Sequence, residues 1–348
     1  MSLLQIVFRS LRQHMLSTLI TAFSIALASG LLMSVWVVKE QARRNFTEVE
    51  SGFDGVFGAR GSKLQLVLNS IFHLEESPGN LSWEQYELIA KDKRRVKTAV
   101  PIAVGDNYRG YRLVGVTTNL FEIEYRSGEK FDVRDGGFAF RPEKKQAVVG
   151  SFVAERLNMK VGDTFHPYHG LIFDEKEKHA EIYIVSGIMK PTNTPADRVI
   201  WIPIKGIQQM EGHDPAAAQS VSAVLLSLRG AAGFQLDMRY NKRGNQATLA
   251  WPVAATLASF FERLSWFEEI LSLVAFLVAF IGALIIFATL RTVMNEKKRE
   301  FAILRCLGAS RMVVTCVVLS QSLLLAVFGA LGSLLAYGGI GFLAARLI

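Results

Sequence analysis

The chain has 348 residues, half of them hydrophobic, and a formal net charge of +8. Residues 39–269 hold 30 Lys and Arg against 29 Asp and Glu, so the remaining +7 lies beside the apolar runs. That distribution argues against nucleic acid as a partner, because flanking charge that orients a membrane protein accounts for it. The two cysteines, Cys306 and Cys316, both fall outside residues 39–269 and show no metal spacing, which excludes a disulfide scaffold there.

Within residues 1–14, Leu3, Leu4, Val7, Phe8 and Leu11 recur at helical spacing between polar residues, predicting a cytoplasmic interfacial helix. An uncharged apolar run follows over residues 15–38 and is long enough for a first transmembrane helix, since about 20 apolar residues cross a bilayer. Ala26-Leu27-Ala28 resembles a signal-peptidase site, but ten more uncharged residues follow it and favour an uncleaved anchor. Ser17, Thr21, Ser24 and Ala28 share one face, which suits a helix-packing seam.

Residues 39–269 read as a mixed α+β extracytoplasmic domain with stalk helices at its ends, over Lys39–Ser51 and Ala255–Phe267. At 231 residues it can bury its own core. Short β-rich runs are predicted at Tyr111–Val116, Ala147–Val149, Ile182–Ile188 and Val199–Ile202. Ser82–Lys91 reads as a helix with Ser82 as cap and Gln85 three residues on. Asn107–Arg112 interleaves aromatic and basic residues and Phe72–Leu74 follows the apolar run Leu64–Ile71; core packing is the preferred reading over a groove for a lipidic or peptide ligand. His166, His169 and His179 lie near Asp174, Glu175 and Glu181; these histidines are weak metal candidates, and the loose spacing favours a solvated loop with no metal.

A second apolar run spans residues 270–290 and a third spans 312–345. At 34 residues the third would be about 51 Å as one helix, so it must tilt, project or break near Gly338-Gly339. Gln321 within it reads as an interhelical hydrogen-bonding group. The connection over 291–311 is basic, and with Arg9 and Arg12 it places both flanks in the cytoplasm and the large domain outside. No span holds an ionisable residue, which argues against an ion-coupled transporter with a site at the membrane midplane. Residues 346–348 form the C-terminal end.

Catalytic signatures are missing. Neither HExxH nor GxSxG occurs, and Gly58–Lys63 does not have the order of a phosphate-binding loop. The chain is therefore expected to be no enzyme and to bind no cofactor itself.

The segment RTVMNEKKREFAILRCLGASR (Arg291–Arg311) resembles the coupling segment of MacB/FtsX-type permeases of ATP-binding-cassette systems. The stretches Ala147–Phe165 and Ile182–Ile204 resemble the MacB-like periplasmic core, and Phe8–Leu32 also fits. The resemblance implies an α-helical transmembrane protein of the bacterial cytoplasmic membrane, with the α+β domain inserted between the first and second spans. It implies a separate ATPase that carries ATP and Mg, a second permease copy or paralogue, and an external adaptor or substrate protein. In this reading Glu296, Glu300, Phe301, Leu304 and Arg305 form the ATPase-coupling surface, a short helix docking into a groove. Gly308 ends that helix and Ser310 caps the next. The implied activity is export or extraction of a lipoprotein, hydrophobic compound or peptide; the alternative is an FtsX-like signalling subunit that switches an external partner such as a cell-wall hydrolase. Metal uptake or sensing is a third class, resting on the histidines alone. Family members usually carry a fourth span, which this sequence lacks, so that span is expected to lie beyond Ile348 or to be supplied in another way.

Overall fold

The computed structural model describes residues 12, 15–47, 51–213, 215–244, 246–263, 265–296, 298–306, 308 and 310–347. The predicted interfacial helix over residues 1–14 lies outside the described residues apart from Arg12. Two compact units result, one from Met1–Arg44 with Arg263–Ile348 and one from Asn45–Glu262.

The strands in the second unit are β1 (Gly55–Gly58), β2 (Leu81–Ser82), β3 (Val96–Tyr108), β4 (Tyr111–Val116), β5 (Glu124–Arg126), β6 (Glu129–Lys130) and β7 (Gln146–Val149). They continue with β8 (Thr164–Phe165), β9 (Tyr168–His169), β10 (Tyr183–Ile188), β11 (Ile200–Pro203), β12 (Ser220–Val221), β13 (Ala223–Leu228) and β14 (Thr248–Ala250). Ten of these form one sheet in the order β14-β1-β13-β3-β4-β11-β7-β10-β8, with β9 added to β3. The β7–β10 and β4–β11 pairs are parallel and the other pairs are antiparallel.

Both faces of this sheet are covered, which is why its inner strands read as continuous apolar runs with little alternation. Along β11, Ile200 and Ile202 enter one apolar cluster while Trp201 enters the other, as a period of two requires. Helices Trp83–Ala90, Ser151–Leu157 and Ile204–Gln208 supply Ile89, Val153 and Ile207 to the first face. Helix Lys63–Ser70 supplies Leu66 and Val67 to the second.

Local signals are realised closely. Strand β4 coincides with the predicted Tyr111–Val116, and the other predicted strands agree within a residue or so. Ser82 caps helix Trp83–Ala90: its hydroxyl accepts from the Gln85 N–H while Gln85 Oε1 accepts from the Ser82 N–H. In the predicted aromatic and basic segment, Asn107 and Arg112 are buried and Tyr108 and Tyr111 pack against the core, in line with the packing reading.

The other unit contains helices Met15–Thr47, Ser265–Glu296, Lys298–Cys306 and Arg311–Leu347. The last runs unbroken through Gly338 and Gly339, so the predicted alternative of a break there is not adopted. Among the described residues no helix is long and apolar enough to cross a membrane; the side chains at several positions in these helices, Gln321 included, lie outside the described residues. Small residues do bring two of the helices together, since a Cβ at Gly329 would lie 2.4 Å from Ile25 Cγ2.

Behind helix Lys63–Ser70, His73 stands edge-on to Trp201 with ring centroids 5.7 Å apart, and its Nδ1 is buried without a hydrogen-bond partner. Burial, with the nearby Arg112 guanidinium, holds the His73 imidazole down at about 3. The unfolded chain takes up this proton near pH 6.5 while the folded chain does not. The His73 contribution is therefore complete above pH 6.5 and is lost as pH falls towards 3, with a slope of at most about 1.4 kcal/mol per pH unit. We expect His73→Gln to flatten this part of the acid-stability curve in urea unfolding of the full chain followed by tryptophan fluorescence. An unchanged slope would show that His73 is protonated in the folded protein.

Candidate functional site

Among the described residues, a compact group of ionisable side chains lies at the end of β3. Asp106, His169, His179 and His213 each place one ligand-type atom within 4.8 Å of the others. Asp106 is fully buried, His179 and the His213 side chain are nearly so, and the His169 side chain is half exposed.

Each residue is delivered by a separate local device. The pairing of β3 with β4 shifts register between Val104 and Asp106, a bulge that reorients the Asp106 side chain. Strand β9 pairs antiparallel with the same end of β3, and His169 lies directly opposite Asp106. Asn107, also fully buried, holds the chain beyond β9: its Nδ2 lies 2.9 Å from the Gly170 carbonyl, 3.3 Å from that of Ile172 and 3.4 Å from that of Tyr168. The Gly170 N–H in turn donates to the Gly105 carbonyl. Gly212, with φ of 90°, makes the turn that presents His213 after helix Ile204–Gln208.

Asp106 Oδ1 is the common point. It lies 3.1 Å from His213 Nε2, 3.3 Å from His179 Nε2 and 3.4 Å from His169 Nδ1, and the last is 3.2 Å from His213 Nε2. The far nitrogens of two rings are already committed: His179 Nδ1 lies 3.0 Å from the Glu211 carbonyl, and His213 Nδ1 lies 2.8 Å from the Ile207 carbonyl. A carbonyl only accepts, so both Nδ1 atoms carry hydrogen and both Nε2 atoms face the carboxylate. Hydrogen bonding to Asp106 raises both imidazoles above their ordinary range. Burial pushes the Asp106 carboxyl up, but the two histidines outweigh that and hold it below its usual value.

Of the sequence candidates, His169 and His179 come together and His166 does not join them: its Nδ1 contacts the His179 carbonyl. Asp106 and His213 were not among the candidates. Nothing in local spacing could have found them, because they lie 107 residues apart in the chain. Asp174 caps a short helical turn by accepting from the Lys176 N–H, and Glu181 accepts from the Glu211 N–H at 3.0 Å.

In the coupling segment, Glu296 ends one helix while Glu300, Phe301, Leu304 and Arg305 lie on the next, Lys298–Cys306. Arg305 is exposed; the side chains of the other four lie outside the described residues. Gly308 adopts φ of 91° and its N–H donates to the Arg305 carbonyl, while the Ser310 hydroxyl accepts from the Val313 N–H at 3.4 Å. The helix stop and start expected at those two residues are both present.

A helical unit whose sequence is interrupted by a two-faced mixed-sheet domain defines the class. Residues 18–235 match the MacB-like periplasmic core domain and residues 272–348 match the FtsX-like permease C-terminal domain. The chain belongs to the MacB/FtsX-type permease family. Members of this family are non-catalytic permease components of ATP-binding-cassette transporters, work with a separate ATPase, and are inner-membrane proteins with a periplasmic domain. Among solved structures, the chain is similar to the periplasmic region of MacB from Actinobacillus actinomycetemcomitans, at 10% identity over 61% of this chain and 94% of that one, with a TM-score of 0.38. A likeness that remote carries no argument about this chain. No curated protein matches.

The hydrogen bonds of Asn107 make one expectation specific. Asn107→Ala should leave the partly buried Tyr168 and Gly170 carbonyls short of a donor, a cost of about 1 kcal/mol. Amide exchange in the full chain should accelerate at residues 168–172 well before it does at β11. Equal acceleration across the sheet would show that Asn107 supports the whole fold and not this loop.

Proposed function

We propose that the chain is a permease subunit which converts the movement of a separate cytoplasmic ATPase into movement of its extracytoplasmic domain, and so exports or extracts a lipoprotein, hydrophobic compound or peptide. The observation that carries this reading is the pairing, in one chain, of a MacB-like core with an FtsX-like C-terminal domain that contains the basic loop Arg291–Arg311. ATP and Mg belong to the partner ATPase in this scheme, and a second permease copy or paralogue completes the assembly. No observation separately favours the signalling alternative.

Three spans over residues 15–38, 270–290 and 312–345 are part of the proposal. Support comes from uncharged runs of sufficient length and from large apolar side chains left exposed along the helices, Phe23, Phe276, Phe287 and Leu335 among them. Lys and Arg in the 291–311 loop favour its retention in the cytoplasm. With Cys306 and Cys316 replaced, Asp135→Cys should react with an impermeant thiol reagent applied to the outer face of the membrane, and Asn295→Cys only after the membrane is opened. Labelling of Asn295→Cys from outside would overturn the orientation.

The joint of the mechanism is the helix Lys298–Cys306. If Phe301 and Leu304 occupy a groove of the ATPase, Leu304→Asp places an unpaired charge in a contact that excludes water, at a cost of several kcal/mol. The variant should still insert, because the loop keeps a net positive charge. Its ATPase should fail to co-purify or should lose substrate-stimulated turnover, while Lys298→Arg should change neither. Normal assembly and normal stimulation in Leu304→Asp would remove the loop from the mechanism.

A further inference from the structure

We propose that Asp106, His169, His179 and His213 form a binding site for a zinc-class divalent cation in the extracytoplasmic domain, held by His213 Nε2, His179 Nε2, His169 Nδ1 and one oxygen of Asp106. The inference stands on the geometry of the second unit and does not depend on the permease reading.

Four features carry it. The first is spacing. A tetrahedral zinc ion bound at about 2.0–2.1 Å separates neighbouring ligand atoms by roughly 3.3 Å. The four measured separations in the cluster run from 3.1 to 3.4 Å. They are also the lengths of long hydrogen bonds, so the spacing is read together with the backbone partners of the rings and the unpartnered Asp106 oxygen.

The second feature is the protons. Because His179 and His213 both donate from Nδ1 to backbone carbonyls, their neutral tautomers aim the Nε2 lone pairs at the carboxylate oxygen of Asp106. Lone pairs facing a carboxylate repel. Protonation of one or both Nε2 atoms relieves this by placing imidazolium beside His169, and a cation that accepts all the lone pairs relieves it without crowding positive rings. Donation from the far ring nitrogen to a carbonyl is the outer-shell arrangement that fixes a metal-binding histidine in its ligating tautomer.

Third, Asp106 is fully buried and its Oδ2 makes no hydrogen bond. A carboxylate with one unsatisfied oxygen needs a positive charge nearby. Glu181, half-buried with Oε2 also unpartnered, lies close enough to His213 to act on its charge. One divalent ion balances Asp106 and Glu181 together. Fourth, the half-exposed His169 offers a route for exchange from solvent.

Three imidazole nitrogens and one carboxylate oxygen form a borderline-soft, four-ligand set that suits zinc and is poorly matched to calcium or magnesium, which take mainly oxygen. With all four positions filled by protein, the ion's role is to bind and to hold the two loops to the sheet end, with no open position for a reacting water.

The test uses the full chain, purified in detergent through a tag without histidine and stripped with chelator. Zinc titrated against a chromophoric competitor should bind at one equivalent, and cobalt should give the intense visible bands of a four-coordinate ion. Asp106→Asn, which keeps the side-chain shape, and His169→Ala, at the exposed ligand, should each weaken binding about a hundredfold or more and weaken the cobalt bands. His166→Ala should bind as the unmodified chain does. Near-ultraviolet circular dichroism identifies any variant that has not folded, and His169→Ala, altered at an exposed side chain, keeps the test decisive if Asp106→Asn is lost. The absence of stoichiometric binding by the unmodified chain would overturn the proposal. So would binding that folded Asp106→Asn and His169→Ala retain in full.

Discussion

Burial of the Asp106 carboxylate is the constraint around which one end of the ten-stranded sheet is organised. An isolated buried carboxylate costs several kcal/mol, so a chain that keeps one must surround it with compensating charge or protons. Here three imidazoles from two separate loops converge on a single oxygen. The bulge before Asp106, the β9 pairing and the Asn107 hydrogen bonds all hold that convergence in place. Without it, the segments carrying His169, His179 and His213 would have little to fix them, since apart from the short β9 and helical turns they are irregular and largely solvent-facing.

The sheet itself is rigid for a different reason. With helices and loops on both faces, side chains from alternate positions of β4 and β11 enter separate apolar clusters, and nearly all are fully buried. Such a core is close-packed and passes displacement as a solid body, a property that a domain driven by a distant ATPase would need. The proposed permease mechanism asks for movement of the domain as a whole. It does not ask the sheet to deform.

Much of the fold was legible in the sequence because its signals are local. The Ser82–Gln85 pair, the Gly308 stop and the four β-rich runs each depend on a few adjacent residues, and each is realised within a residue or so. The mixed character of the domain was legible as well. The candidate site was legible in half. His169 and His179 stand out as a histidine-rich stretch, but Asp106 sits in an ordinary strand and His213 in a short turn. Their meeting depends on which strands pair and where a bulge falls, and pairing over such sequence distances leaves no periodic trace. His166 shows the complementary case: it lies three residues from His169, yet its ring turns to the His179 backbone. The preference for a solvated loop rested on spacing alone, and spacing carries no information about a ligand contributed from another strand.

Family membership and the cluster answer different questions. The family matches concern the packed core and the helical C-terminal segment, and they say what kind of machine this chain belongs to. The cluster lies at a sheet end and on loops, the places where one fold takes on distinct ligands. If an ion binds there, it binds the folded arrangement and not the unfolded chain, so its binding free energy adds directly to the stability of the loops that supply the ligands. At a concentration one hundred times its dissociation constant that contribution is about 2.7 kcal/mol, enough to decide whether loops with few buried apolar contacts are ordered or open. Under the proposed permease mechanism, the moving domain would then present, at this end, a surface whose order depends on the metal available to it.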